Sequence, residues 1–128
     1  MKLLLDTHVL LWWLVDSRRL SERARSLIAD RRNKLFWSAA SSWELAVKLA
    51  LGRIQFQTPL RTLIPDVLRK QGIASLPVEH SHAFQVASLP PLHRDPFDRM
   101  LVAQCQLERF TLLSADSQLD EYEVDVLW

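Results

Sequence analysis

Cysteine and glycine are nearly absent from this 128-residue chain: Cys105 stands alone, and the only glycines are Gly52 and Gly72. A single thiol closes no internal disulfide, which points to a reducing compartment and a cytoplasmic protein. Two isolated glycines supply no glycine-rich loop to cradle a phosphate. Long apolar runs are missing as well. Leu3-Leu4-Leu5 is cut short by Asp6, so no secretory leader is expected. The stretch Val9 to Val15 falls far short of the roughly 20 residues that cross a bilayer, so no membrane partner is expected. Charge of one sign is also lacking: the formal net charge is +1, so bulk charge names no partner. What remains is a chain of 48% apolar and 24% charged residues, which excludes disorder and fibrous repeats. Its length suits one domain, residues 1–128, able to bury roughly two-thirds of its unfolded surface without staples.

Charge is unevenly placed along the chain. Arg18, Arg19, Arg23, Arg25, Arg31, Arg32 and Lys34 face only Glu22 and Asp30, whereas no Lys or Arg follows Arg109. Solvated faces account for most such runs, and a basic face toward an anionic polymer is the sharper reading.

Apolar periodicity alternates short strand-like runs with helical stripes, without repeats or a linker. Strands are expected at Lys2 to Asp6, Leu35 to Ser38, Ile73 to Val78, Thr111 to Ser114 and Val124 to Leu127. Helices are expected at Thr7 to Val15, Ser21 to Arg32, Ser41 to a cap at Gly52, Glu79 to Leu89 and Phe97 to Phe110. A further helix opens at an N-cap Thr58 with Pro59 at its first position, and Pro65 is expected to kink or split it. Strands separated by helices pair in parallel through right-handed crossovers, which gives a three-layer α/β/α sandwich around a parallel sheet.

Open parallel sheets bind ligands beyond the carboxyl ends of their strands. Four acids stand at such positions: Asp6 ends the first strand, Glu44 and Asp98 lie in first turns of helices, and Asp116 follows the strand Thr111 to Ser114. Three have local uses. Ser41-Ser42-Trp43-Glu44 fits a capping box with Glu44 at N3, Asp95-Pro96-Phe97-Asp98 fits an Asp cap with an N1 proline, and Asp116 suits a cap for Ser117 to Leu119. Asp6 has less local use. Converging carboxylates about 4 Å apart repel by roughly 4 kcal/mol at an effective dielectric near 20. The sequence forces no Lys or Arg among them, so protons or a cation must compensate. An all-oxygen site suits Mg²⁺ or Mn²⁺ better than zinc.

Four segments carry a resemblance. Leu4-Leu5-Asp6-Thr7-His8-Val9-Leu10-Leu11-Trp12, Ser41-Ser42-Trp43-Glu44-Leu45-Ala46, Arg94-Asp95-Pro96-Phe97-Asp98-Arg99-Met100-Leu101-Val102-Ala103-Gln104 and Leu112-Leu113-Ser114-Ala115-Asp116 resemble the PIN-domain family, and more narrowly its VapC-type toxins. The match runs in order over essentially the whole chain. It implies a parallel-sheet α/β/α sandwich and a Mg²⁺- or Mn²⁺-dependent endoribonuclease toxin. Asp6, Glu44, Asp98 and Asp116 fall on the family's acidic metal-binding and catalytic positions, with Thr7 and Ser114 as supporting hydroxyls. The implied partners are an RNA substrate, a cognate VapB-type antitoxin and a second copy in a homodimer or larger assembly. A noncatalytic RNA- or protein-binding module on the same fold is the alternative. A phosphoacceptor role for Asp6 is disfavoured by His8 where a second acid would stand.

Other residues have plainer readings. His80-Ser81-His82 opens a helix, where i and i+2 diverge, so capping or surface roles outweigh metal binding. His8 reads as a helix-packing residue, His93 and Arg94 as loop residues within reach of a phosphate, and Cys105 as core. Five tryptophans exceed what so small a core needs. Trp12 or Trp13, with Trp37 or Trp128, are the expected interface residues.

Overall fold

The computed structural model describes residues 1–128. Its elements are β1 (Lys2–Leu5), α1 (Thr7–Leu14), α2 (Glu22–Ala29), β2 (Lys34–Ser38), α3 (Ala39–Ala50), α4 (Leu60–Gln71), β3 (Ile73–Leu76), α5 (His80–Ser88), α6 (Pro96–Glu108), β4 (Thr111–Leu113), a 3₁₀ turn (Ser117–Glu121) and β5 (Val126–Leu127). The five strands form one parallel sheet in the order β3-β2-β1-β4-β5.

Alternation along β1 builds the three layers. Successive strand side chains point to opposite faces, so Leu3 and Leu5 face one way and Leu4 the other, and all three are fully buried. Leu3 and Leu5 join Val9 and Leu10 of α1, Ala24 and Ile28 of α2, and Ile64 and Val67 of α4. Leu4 packs instead with Leu101, Val102 and Cys105 of α6, and Val86 of α5 borders that core. Helices therefore cover both faces of the sheet, in the expected three-layer α/β/α sandwich.

Several helix boundaries differ from the sequence reading. Helix α3 begins at Ala39, not Ser41, because Ser38 is its N-cap and its hydroxyl accepts the Ala40 N–H at 3.0 Å. Helix α4 begins after Pro59 without a side-chain cap, so Thr58 does not cap it, and it runs through Pro65 unbroken. Ile64 and Val67 on either side of that proline are both buried, and this packing holds the helix together across one missing backbone bond. Gly72 closes α4 in the left-handed conformation at φ 66°, and Gly52 adopts φ 72° just beyond α3. Only glycine takes such angles at little cost.

Trp37 is 1% exposed and donates its indole N–H to Ser42 Oγ at 2.8 Å, so it is a core residue and not an interface one. The exposed tryptophan is Trp43, whose ring meets Phe97 edge-on at 4.9 Å. His82 is completely buried: its Nδ1 accepts the Glu79 N–H at 3.0 Å, and its Nε2 lies 2.8 Å from Glu108. It staples α5 to α6, in keeping with its structural reading.

Candidate metal centre and cleft

The chain leaves β1 to build β2 and β3 on one side of it, then returns to build β4 on the other. This reversal splays the loops beyond the carboxyl ends of β1 and β4 and opens a crevice there. A cleft of about 390 Å³ lies in that place, and Asp6, Glu44, Asp98 and Asp116 all line it. The four acids singled out in the sequence thus come together, delivered by β1, α3, α6 and the loop after β4.

Asp6 extends β1, and its backbone N–H still bonds to Leu113 of β4 at 3.0 Å. One carboxylate oxygen accepts the Thr7 N–H at 2.6 Å as the cap of α1, and the other accepts the Ser114 hydroxyl at 2.6 Å. Burial pushes its carboxyl above the usual range, and these two donors pull against that shift. Ser114 also accepts the Asp116 N–H at 3.1 Å, which ties both acids to one hydroxyl.

Glu44 is 3% exposed and sits in the second turn of α3, so it does not close a capping box with Ser41. Its Oε1 accepts the Thr7 hydroxyl at 2.7 Å, and Thr7 Oγ1 lies 2.9 Å from Ser41 Oγ. Thr7 has a single hydroxyl proton and the carboxylate only accepts, so Thr7 donates to Glu44 and accepts from Ser41. The other oxygen, Oε2, holds Lys48 Nζ at 2.6 Å. A lysine therefore reaches the acids, although the sequence forces none there. Lys48 lies one helical turn beyond Glu44, the spacing that pairs side chains on a helix, and that spacing was the signal available.

Asp98 stands in the first turn of α6, below the cap that Asp95 forms with the N–H groups of Phe97 (2.8 Å) and Asp98 (3.3 Å). Its carboxyl is pushed up to about 8, chiefly by burial and then by the charges of Asp6, Asp95, Glu44 and Asp116. Asp116 caps the 3₁₀ turn through the Gln118 N–H at 3.0 Å, so it serves as a cap and a cleft residue together.

His93 is a site residue that sequence reasoning left in a loop. Its Nε2 lies 3.0 Å from Asp116 Oδ2 and 3.6 Å from Asp98 Oδ2. These three groups cluster closely enough to suggest a metal site. The other ring nitrogen decides the matter: Nδ1 accepts the Asp95 N–H at 3.1 Å, so a neutral ring carries its proton on Nε2. A protonated nitrogen donates to Asp116 and has no lone pair for a metal. Arg99 fixes the preceding loop by donating to the carbonyls of Val86 and Pro90 and to the Tyr122 hydroxyl. Arg94 is exposed, and His8 is exposed at the cleft instead of packing inside it.

Chemically, the cleft concentrates negative charge that Lys48 and Arg19 only partly offset. Its donors are carboxylate oxygens backed by hydroxyls, the set preferred by hard divalent cations.

Comparison with known proteins bears on the fold and the family. The sequence profile of the PIN domain matches residues 3–125. Ribonuclease VapC22 of Mycobacterium tuberculosis is 29% identical over 117 residues, covering 91% of this chain and 88% of that protein. Ribonuclease VapC16 of the same organism is 38% identical over 58 residues, a stretch spanning only 45% of this chain and 41% of that protein. Among solved structures, VapBC2 from Rickettsia felis, bound to a DNA fragment from its promoter, aligns with a TM-score of 0.73 at 13% identity, covering 99% of this chain and 98% of that one. FitAcB from Neisseria gonorrhoeae aligns with a TM-score of 0.64 at 17% identity, covering 98% and 96%. At such identities the structural likeness speaks for the fold, whereas the profile match extends over nearly the full sequence: the chain belongs to the PIN domain family.

Proposed function

We propose that this chain is a divalent-metal-dependent endoribonuclease, the toxin partner of a toxin–antitoxin pair. The observation that carries the reading is the convergence of Asp6, Glu44, Asp98 and Asp116 on one cleft at the switch point of the sheet. Relatives named ribonucleases and structural neighbours described as VapBC or FitAB complexes support it.

The four acids fit Mg²⁺ or Mn²⁺ by donor chemistry, and Asp6, Glu44, Asp98 and Asp116 are the residues that would hold it. When bound, a divalent ion lowers the pKa of a water nucleophile and stabilises charge on the phosphoryl and leaving oxygens. The chain's own part is preorganisation. Thr7 and Ser114 each donate to a carboxylate, turning Glu44 and Asp6 toward the cleft in fixed orientations. His93 does the same for Asp116. Burial of Asp6 and Glu44 excludes water from their inner oxygens and strengthens every charge interaction in the cleft.

The substrate in this reading is RNA, and the inhibitor a VapB-type antitoxin acting in the cytoplasm. No helix is long and apolar enough to cross a membrane. An apolar groove of about 330 Å³ between α3, α5 and α6, lined by Trp43, Val78, Phe97 and Met100, supports the protein contacts that a homodimer and an antitoxin complex require.

The test is cleavage of total RNA by the purified protein with Mg²⁺, with Mn²⁺ and with EDTA, alongside Asp98→Asn. Cleavage that needs the metal and falls more than 100-fold in the folded variant is expected, beyond the roughly 10- to 100-fold typical of lost supporting contacts. Near-wild-type cleavage by folded Asp98→Asn would overturn the site assignment. Metal-independent RNA binding without any product would favour the noncatalytic module.

A further inference from the structure

Glu44 differs from the other acids of the cleft in what holds it. Asp6 accepts from the Thr7 N–H and the Ser114 hydroxyl, and Asp116 from the Gln118 N–H and His93. Glu44 alone among the four carries a lysine or arginine: its Oε2 lies 2.6 Å from Lys48 Nζ. Its Oε1 is taken by the hydroxyl of Thr7, a residue 1% exposed, so Oε2 is the oxygen left toward the cleft, and the ammonium sits on it. Pairs at (i, i+4) spacing ordinarily decorate exposed helix faces and change little. Here the carboxylate side chain is 4% exposed and that of the lysine 31%. Both residues line the cleft together with Asp6, Asp98 and Asp116.

We propose that Lys48 is the resident cation of the cleft, holding Glu44 until a divalent ion displaces it, and so sets how tightly metal binds. The proposal rests on the metal-dependent reading of the four acids and adds to it a residue that opposes the ion. A buried carboxylate without a positive partner is costly, so Glu44 needs either the ammonium or an ion. Both cannot share Oε2 at close range, because like charges there repel strongly. The lysine is able to leave. Its charge is a compact ammonium on a flexible four-carbon stem, and its partial exposure lets the head turn into water without burying the charge elsewhere. A lysine that merely braces Glu44, the plain reading of the pair, would favour metal binding or be indifferent to it, whereas a resident cation opposes it.

The test measures metal binding without RNA, so it does not depend on cleavage. Mn²⁺ is titrated into the wild-type protein, Lys48→Met, Lys48→Arg and Arg19→Gln at fixed pH and ionic strength, and the free ion is counted by its electron paramagnetic resonance. Lys48→Met binds Mn²⁺ more tightly than wild type by roughly 10- to 100-fold, the scale on which residues touching a ligand alter metal affinity. Lys48→Arg keeps the charge and stays within about fivefold of wild type. Arg19 lines the same cleft but is exposed and pairs with no acid, so Arg19→Gln tightens binding by about fivefold at most. Melting scans supply a second readout. Lys48→Met melts below wild type in EDTA, and Mn²⁺ raises its melting temperature more than that of wild type, because the tighter site gains more from the same ion. A merely bracing lysine would lower the melting temperature equally with and without metal. Should Lys48→Met not fold in EDTA, Lys48→Gln, neutral but still able to donate to Glu44, gives the same comparison. Mn²⁺ affinity that is unchanged or weaker in the neutral variants, or absent from every protein, overturns the proposal. The expected pattern of affinities without RNA cleavage under any metal overturns the endoribonuclease reading and leaves the role of Lys48 standing.

Discussion

At the scale of single residues, the site depends on hydroxyls as much as on acids. Ser114 is 1% exposed and serves two partners, donating to Asp6 and accepting from the Asp116 backbone. Ser114→Ala removes a donor from a buried carboxylate and is expected to cost roughly 1–3 kcal/mol of stability. It also lets the Asp6 carboxyl rise further, because Ser114 is the main influence holding it down. Cleavage at saturating metal should fall roughly 10- to 100-fold, with Ser114→Thr restoring most of it. Initial rates on one RNA at several Mg²⁺ concentrations separate lost metal affinity from lost turnover. Unchanged rates in the alanine variant would deny Ser114 a positioning role.

At the scale of elements, the cap of α6 carries Asp98 into the cleft. Asp95 accepts two backbone N–H groups there, and Pro96 at the first helical position presets the turn. Asp95→Ala is expected to destabilise the protein by about 0.5–2 kcal/mol, as cap removals do, and Asp95→Asn by far less. Urea unfolding followed by circular dichroism measures the difference. That cap and the tie between strand ends and acids were legible in the sequence, because both depend on local spacing: Asp-Pro-Phe-Asp marks a helix start, and Asp6 directly ends an apolar run. The errors arose where tertiary contacts override local signals. Three serines compete to cap α3, and burial of Ser38 at the end of β2 selects the first, which moves Glu44 a turn deeper into the helix. Pro65 sits between two buried residues, so packing outweighs its lost bond. His93 has no local pattern at all, since its partners Asp98 and Asp116 arrive from α6 and from beyond β4.

At the scale of the whole molecule, the near-zero net charge conceals a fold that works against its own electrostatics. Asp98 keeps its proton to about 8 in the folded chain, whereas an unfolded aspartate loses it near 3.8. Between those values the folded state binds more protons than the unfolded state, so stability falls as pH rises and levels off above about 8. Asp6 shifts in the same direction and adds to the fall. The exposed pairs of Asp30 with Arg32 and Asp66 with Lys70 act oppositely, since their carboxyls lie below the usual value and lose their contribution only in acid. In EDTA, then, stability should fall between pH 5 and pH 8 by roughly several kcal/mol, read as a falling melting temperature. If the proposed divalent ion binds only the folded, deprotonated cluster, its stabilisation should grow with pH and flatten the curve, reaching about 2.7 kcal/mol at a hundredfold excess over the dissociation constant. Asp98→Asn removes the titrating group, and its EDTA profile should be flatter and its metal response smaller. Melting scans of both proteins across this pH range, with and without metal, check the sign. A wild-type profile in EDTA that is flat or rises toward pH 8 would mean that the four carboxylates do not share one buried field.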